Sequence, residues 1–529
     1  MDKHIKFKTV IVCALILFLI AWCGMCSMPF ISFKSLYFQN LDNVRLRARY
    51  NQGDNGKGVL VVGDMSHDIS ELKLLAGELK KSGYTVFLFD LPSQGGSLGS
   101  VQYRYKTSNY IAEQFYCALV IFAQESGLNI SDIHIVSYGE GARAVLQTAC
   151  FGYISPRSVT LVGPAVNLSD RTDFDIINFT LDSAIEWIGE LDGETFACPV
   201  HMVYTSTDEI STVKDNELLS DKIDNGLLTK TCIKLGFHSM LMTSAAVSMK
   251  VCGYLCSLDG IPFAEQKALY TYVPAQIACA LLFVYLLYKY SDQLRYSDRF
   301  TYERVPRIPE MPKKHLIKKL LYWIPAAMIT VLVPCGLYYL PISMPYKSII
   351  PIMVLSSYGL ILSGVYFFGG AEAPREEFVM AQSGKTNKRA AALTLCLVTA
   401  FIALTSFTGS RNLFGFGSKW HWQTALTVIF AIGFYADRSD RKLTAFTMKE
   451  NICSFAIGYA SFVVLPLVLA ALGLFSSVVS ALGYIVILCG TVMLGNILDT
   501  FKTSPVFTAA VQGFIFQLAA FPNMTMFRA

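Results

Sequence analysis

Long uncharged apolar runs occupy both ends of the chain and leave one segment of mixed polar and apolar residues between them. The first run covers residues 9–33, and further runs follow at 268–288, 320–346, 348–371, 390–410, 420–436, 451–498 and 503–527. About 20 apolar residues form a helix that crosses the hydrocarbon core of a bilayer, and the run 451–498 is long enough for two. We therefore expect about nine spans, namely a transmembrane anchor in residues 1–33 and a bundle of about eight helices in residues 265–529.

Basic residues mark alternate loops between these runs. They cluster before the first span, at residues 295–319, at 385–389 and at 438–442. Because cytoplasmic loops carry an excess of Lys and Arg, this pattern predicts a cytoplasmic N-terminus. No small-residue cleavage site follows the first apolar core, so we expect an uncleaved anchor. The segment 34–264 is then extracytoplasmic.

Short β-branched runs alternate with helical patterns in the segment 34–264. The predicted strands are 58–62, 84–89, 132–136, 158–162, 199–204 and 230–235, and the predicted helices include 68–79, 109–124 and 140–149. Strands that alternate with helices indicate a mostly parallel sheet covered on both faces. The expected fold class is therefore α/β for this domain, joined to an all-α membrane part.

Composition agrees with a membrane protein and excludes several functions. Apolar residues make up 53% of the chain and charged residues 16%, whereas soluble proteins carry about 25% charged residues. The net charge of +5 lies mostly in short loops, without a basic stripe or interleaved aromatics, so nucleic acid is not an expected partner. The pair Cys23 and Cys26 lies in the anchor without a βαβ context, so we predict neither a metal site nor a cofactor.

Three features within residues 35–258 resemble the α/β-hydrolase superfamily. Phe89-Asp-Leu-Pro-Ser-Gln-Gly-Gly-Ser97 resembles the family's D-x-P-G-x-G-x-S turn, and Ile133-His-Ile-Val-Ser-Tyr-Gly-Glu-Gly-Ala142 lies where the strand, nucleophile elbow and helix should be. Asp208 and His238 are similar to the catalytic acid and base, in the family's chain order. The resemblance implies an α/β-hydrolase-like domain with a lid at about residues 165–197.

The nucleophile position departs from that family. In Ser137-Tyr-Gly-Glu-Gly-Ala142 the exposed central residue of the elbow is Gly139, which has no attacking group. Gly63, Asp64 and Glu140 would form the ligand pocket or oxyanion region, where an acidic side chain disfavours a developing oxyanion. Conventional serine hydrolysis is therefore not expected.

Three functions fit this degenerate triad. The first is binding of a lipid, acyl or envelope ligand in the old active-site cleft, without conventional hydrolysis. The second is a membrane-embedded hydrolase or acyltransferase in which Asp208 and His238 act with water or an unusual nucleophile. The third is a docking or assembly module for a membrane protein partner. In each case the lipid bilayer is a partner of the chain.

Overall fold

The computed structural model describes residues 3–41, 43–64, 67–92, 94–98, 108–152, 154–166, 191–208, 210–296, 342–343, 388–408, 424, 427–435, 475–501, 503–520 and 527–528. Most of the predicted lid, residues 167–190, lies outside the described residues. So do the predicted span 348–371, nearly all of 320–346, and parts of 420–436 and 451–498. The structure therefore does not test these predictions.

An eight-stranded mixed sheet forms the centre of the segment between the apolar runs. Its strands are β1 (Lys34–Gln39), β2 (Arg45–Asn51), β3 (Gly58–Val62), β4 (Thr85–Phe89), β5 (Ile133–Tyr138), β6 (Ser158–Val162), β7 (Val200–Thr205) and β8 (Leu228–Ile233). Their spatial order is β1-β2-β4-β3-β5-β6-β7-β8, and all pairs from β4 to β8 are parallel. The two pairs that involve β2 are antiparallel.

Helices cover both faces of this sheet. They are α2 (Lys73–Lys81), α3 (Ser108–Ser126), α4 (Gly141–Cys150), α5 (Val213–Ile223) and α6 (Ala245–Asp259). In β3, Leu60 and Val62 face the core beneath α3, α4 and α5, whereas Val59 and Val61 face the core beneath α2 and α6. Successive side chains of a strand point to opposite faces of the sheet. A strand in which every side chain is apolar is therefore buried only if an apolar core covers each face. The mixed sheet with helices on both faces fits the α/β-hydrolase resemblance.

The N-terminal helix reaches the domain. Helix α1 (Lys3–Ile31) packs its last turns on α2, where a Cβ on Gly77 would lie 3.3 Å from Pro29 Cβ. It also packs along α7 (Tyr272–Tyr296), and Trp22 donates a hydrogen bond to Thr271 at 2.9 Å. Helix α1, the domain and the second apolar helix α7 therefore meet at one junction.

Within the described residues, two helices are long and apolar enough to cross a membrane, over Thr9–Ile31 and Lys267–Tyr290. This finding suggests membrane association, while the predicted eight-helix bundle and its orientation stay predictions. Three further helices, α8 (Lys388–Thr408), α9 (Phe475–Thr500) and α10 (Pro505–Ala520), coincide with parts of predicted spans. A short ladder pairs β9 (Ile342–Ser343) with β10 (Phe527–Arg528).

The predicted elements of the domain largely coincide with the observed ones, but four elements were not predicted. These are β1, β2, α5 and α6. The predicted helix at residues 68–79 begins as a 3-10 turn at Ile69–Leu72, with Asp68 as its N-cap, and becomes α-helical only at Lys73.

Candidate functional site

The loops at the carboxyl ends of four parallel strands meet at one edge of the sheet. Gly63 and Asp64 follow β3, Gly139 follows β5, Asp208 follows β7 and His238 follows β8. Ligand sites of open α/β sheets lie at this edge. The strand order brings β3 directly beside β5, so that Asp64 and Gly139 become neighbours.

Gly139 forms a sharp turn between β5 and α4. Its φ is +51°, a left-handed conformation that favours glycine. Its N–H donates to the carbonyl of Val162 at 2.9 Å, which fixes the turn against β6. A Cβ on Gly141 would lie 2.6 Å from the Gly63 carbonyl oxygen, so the start of α4 approaches the loop after β3 closely. The strand, turn and helix of a nucleophile elbow are all present.

The carboxyl group of Asp64 occupies the space that a side chain on Gly139 would fill. A Cβ built on Gly139 overlaps all three carboxyl atoms, and the farthest of them, Oδ2, lies only 2.7 Å away. The N–H of Glu140 donates to Asp64 Oδ1 at 2.9 Å. In a nucleophile elbow this amide, from the residue after the nucleophile, serves the oxyanion hole. The Asp64 carboxyl therefore occupies the space beside Gly139 and accepts the N–H of Glu140.

His238 lies between two carboxylates. Its Nδ1 is 2.9 Å from Asp208 Oδ2, and its Nε2 is 3.3 Å from Asp64 Oδ2. Asp208 Oδ1 in turn accepts the N–H groups of Ile210 at 2.9 Å and Ser211 at 2.8 Å. The three side chains of Asp208, His238 and Asp64 form a buried array, which we call the Asp–His–Asp array.

The two carboxylates control the protonation of His238. Burial lowers the pKa of its imidazole, but the charges of Asp208 and Asp64 and their hydrogen bonds more than offset this effect. The pKa of His238 is consequently raised well above its ordinary value. The shift favours the protonated ring, which is the form that cannot accept a proton as a general base.

The second backbone donor of the expected oxyanion region is also engaged. The N–H of Asp64 points to the sulfur of Met242 at 3.4 Å.

Ser137, two positions before the elbow glycine, is buried, and its hydroxyl lies 3.5 Å from the carbonyl of Thr160. This hydroxyl therefore faces the neighbouring strand β6.

A buried charge cluster holds the loop that carries Asp64. Arg47 Nη2 lies 2.7 Å from Asp68 Oδ1 and 2.5 Å from Asp90 Oδ2. Asp90 Oδ1 also accepts the N–H of Ile69 at 3.0 Å. These contacts tie the segment after β3 to β2 and to the turn after β4. Sequence reasoning located Asp90 in its motif but missed Arg47, although the alternation of Arg45, Arg47 and Arg49 is a strand signal.

Within the described part of the chain, no group of three or more His, Cys, Asp or Glu side chains is placed to hold a metal ion. His134, which is buried on β5, contacts Ser158 at 2.7 Å and Asp259 at 2.9 Å. These partners lie on β6 and α6, so the contact joins the sheet to a covering helix.

Comparison with known proteins gives similarity only at the level of solved structures. No family model matches the chain, and no curated protein matches it. An esterase from Pyrococcus furiosus is 13% identical, with 43% of this chain and 91% of that chain covered and a TM-score of 0.33. A membrane phospholipase A described as a bacterial virulence factor is 13% identical over 49% of this chain and 99% of that one, with a TM-score of 0.34. A monoacylglycerol lipase from Paleococcus ferrophilus is 14% identical over 40% and 99%, also with a TM-score of 0.34. Similarity at this level carries no information about activity.

Proposed function

We propose that residues 34–264 form a membrane-held, α/β-hydrolase-like domain that binds a lipid, acyl or envelope ligand without serine hydrolysis. The ligand would bind in the cleft at the carboxyl ends of the parallel strands. The observation that carries this proposal is the carboxyl group of Asp64, which fills the nucleophile position at Gly139 and accepts the N–H of Glu140.

The size of the electrostatic penalty supports the exclusion of serine chemistry. Loss of one oxyanion donor costs about 3 kcal/mol of transition-state stabilisation. A carboxylate about 4 Å from a developing oxyanion adds about 4 kcal/mol of repulsion at an effective dielectric constant of about 20. The two penalties add up to about 7 kcal/mol, which lowers the rate of serine hydrolysis by about five orders of magnitude.

A ligand with an apolar part is supported by the position of the domain. The two apolar helices, α1 and α7, pack directly against it, so the domain lies at a membrane surface if these helices cross a bilayer. One cluster of buried apolar side chains links them with α2 and α6, namely Cys23, Leu74, Ala245, Met249, Leu269, Tyr272 and Ala275. Ligands drawn from the bilayer would therefore reach the domain without crossing water.

The Asp–His–Asp array favours a second candidate, a hydrolase or acyltransferase with an unusual nucleophile. His238 and Asp208 keep the contact of a catalytic base and its orienting acid, at 2.9 Å. A carboxylate can itself act as a nucleophile, and Asp64 is the group in that position. This candidate predicts that Asp208→Ala and His238→Ala abolish function while the protein stays folded, whereas the binding proposal predicts that ligand binding survives both changes.

A fluorophosphonate probe on the full chain in membranes tests the absence of serine chemistry. We would compare the unmodified chain, Gly139→Ser, Asp64→Ala and the double variant. Because a side chain on Gly139 overlaps the Asp64 carboxyl, serine labelling is expected only in the double variant. Labelling of a serine in the unmodified chain would contradict the proposal.

Ligand binding and ester hydrolysis are then measured in two separate assays on the purified protein. A pyrene-labelled fatty acid reports binding, and a p-nitrophenyl acyl ester reports hydrolysis. We expect the unmodified chain and His238→Ala to bind the fatty acid equally well and to leave the ester intact. Ester hydrolysis that disappears in His238→Ala would establish the second candidate instead.

A further inference from the structure

An apolar cavity of about 310 Å³ lies behind the turn that carries His238. One wall consists of Thr205 at the end of β7, residues 235–237 and 240–241 after β8, and the start of α6. The other wall consists of the residues around the start of α7. Its main apolar lining residues are Leu235, Phe237, Met240, Leu241, Leu269 and Val273. No charged side chain lines it, so the cavity suits a hydrocarbon better than a polar ligand.

The cavity lies where the second apolar helix meets the domain. Leu269, Tyr270 and Val273 belong to the first residues of the candidate span Lys267–Tyr290. In the same region the indole N–H of Trp22 donates to Thr271 at 2.9 Å. Trp and Tyr are enriched at membrane–water interfaces, where their rings sit at the headgroup level. If the span Lys267–Tyr290 crosses a bilayer, the cavity therefore lies at the depth where the bilayer begins.

Exposed apolar side chains lie both at the rim of the cavity and along α7. Leu235, at the rim, is 75% exposed, and Tyr270 beside it is 39% exposed. Along α7 the outward side chains Ile277 and Leu281 continue this apolar surface toward the other end of the helix. Exposed apolar side chains that border a cavity typically mark a binding site.

The volume of the cavity limits the size of its occupant. An apolar cavity of about 150 Å³ holds one benzene molecule, which has six carbon atoms. In proportion, a cavity of about 310 Å³ has room for about twelve carbons. This is the size of a segment of one hydrocarbon chain.

We infer that this cavity binds a single acyl chain of a bilayer lipid, which enters beside the start of α7. The inference rests on the proposed function and assigns the ligand's chain to a site outside the strand-end cleft. The cavity and the Asp–His–Asp array share the turn at residues 238–241. A Cβ on Gly163 would overlap Leu241 and would lie 3.2 Å from Asp208 Oδ2, so Leu241 separates the chain from the array.

Photo-crosslinking from a defined lipid tests the inference. The full chain is reconstituted in phosphatidylcholine vesicles that contain some phosphatidylcholine with a diazirine in one acyl chain, irradiated and digested for mass spectrometry. We expect adducts in residues 235–246 and 269–273. Ala246→Trp, which fills the cavity, should abolish these adducts, and Thr243→Phe should do the same if the first variant does not fold.

The matched control is Ser257→Trp, which places the same bulk at an exposed position three turns further along α6. It should leave the cavity adducts unchanged. Adducts on the outward face of α1 report lipid around the protein and should be equal in all variants. Cavity adducts that are missing from the unmodified chain, or that persist in Ala246→Trp, would overturn the inference. If the pyrene-labelled fatty acid still binds in that case, the proposed function stands and only the site of the chain is wrong.

Discussion

Replacement of Gly139 with alanine tests the position of the Asp64 carboxyl directly. The new methyl group would overlap Asp64 Cγ and both carboxyl oxygens, so the whole group must move. Movement breaks the hydrogen bond from the Glu140 N–H and the contact with His238. The same substitution also places a side chain at a φ of +51°.

Two contributions set the expected loss of stability. A left-handed conformation at a residue other than glycine costs about 1–2 kcal/mol. Loss of a hydrogen bond to a charged group costs about 1.5–3 kcal/mol. Gly139→Ala should therefore lower the free energy of unfolding by about 2.5–5 kcal/mol. Gly127→Ala is the matched control, because Gly127 has a φ of +69° and no atoms within 4 Å of a built Cβ, and it should cost only about 1–2 kcal/mol.

Pulse proteolysis of the full chain in detergent micelles, across a urea series, measures these differences. A double-mutant cycle with Asp64→Ala isolates the free-energy cost of the overlap between the new methyl group and the Asp64 carboxyl. In the Asp64→Ala background, Gly139→Ala should cost only the conformational strain, about 1–2 kcal/mol. Equal costs for Gly139→Ala and Gly127→Ala in the unmodified background would refute the placement of Asp64 in the nucleophile position.

Two further predictions concern the buried charges. Because the pKa of His238 is raised in the folded state, its stabilising contribution is complete below a pH of about 6.5 and is lost as the pH rises through the folded-state pKa. The difference in unfolding free energy between the unmodified chain and His238→Gln should therefore shrink above that pH in a denaturation series, and a constant difference would contradict this assignment. Arg47→Met leaves Asp68 and Asp90 buried without their partner and should cost about 3–5 kcal/mol. The control Arg45→Met, at an exposed position of the same strand, should cost less than about 1 kcal/mol in the same assay.

The sequence predicted strands β3 to β7 because buried parallel strands are near-continuous apolar runs rich in β-branched residues. Strands β3 to β8 and helices α2, α3 and α4 all coincide with predicted elements. Two unpredicted elements did carry local signals. Strand β2 alternates arginine with apolar or aromatic residues, and Thr212 caps α5 by accepting the N–H of Asp215 at 3.2 Å. Strand β1 pairs only with β2 at the sheet edge and is mostly exposed, so its sequence lacks a strong apolar pattern.

The prediction that the site lacks a serine nucleophile comes from the sequence by itself, because Gly139 takes the central position of an elbow-like motif. The chain order of Asp208 and His238 likewise predicted an acid and a base, which the fold brings within 2.9 Å of each other. Only the tertiary structure decided that the Asp64 carboxyl lies in the space beside Gly139. Asp64 and Glu140 are 76 positions apart, and they meet because β3 lies next to β5 in the sheet. No local propensity encodes such a contact, since it depends on strand order and on the direction of a carboxyl group within a buried loop.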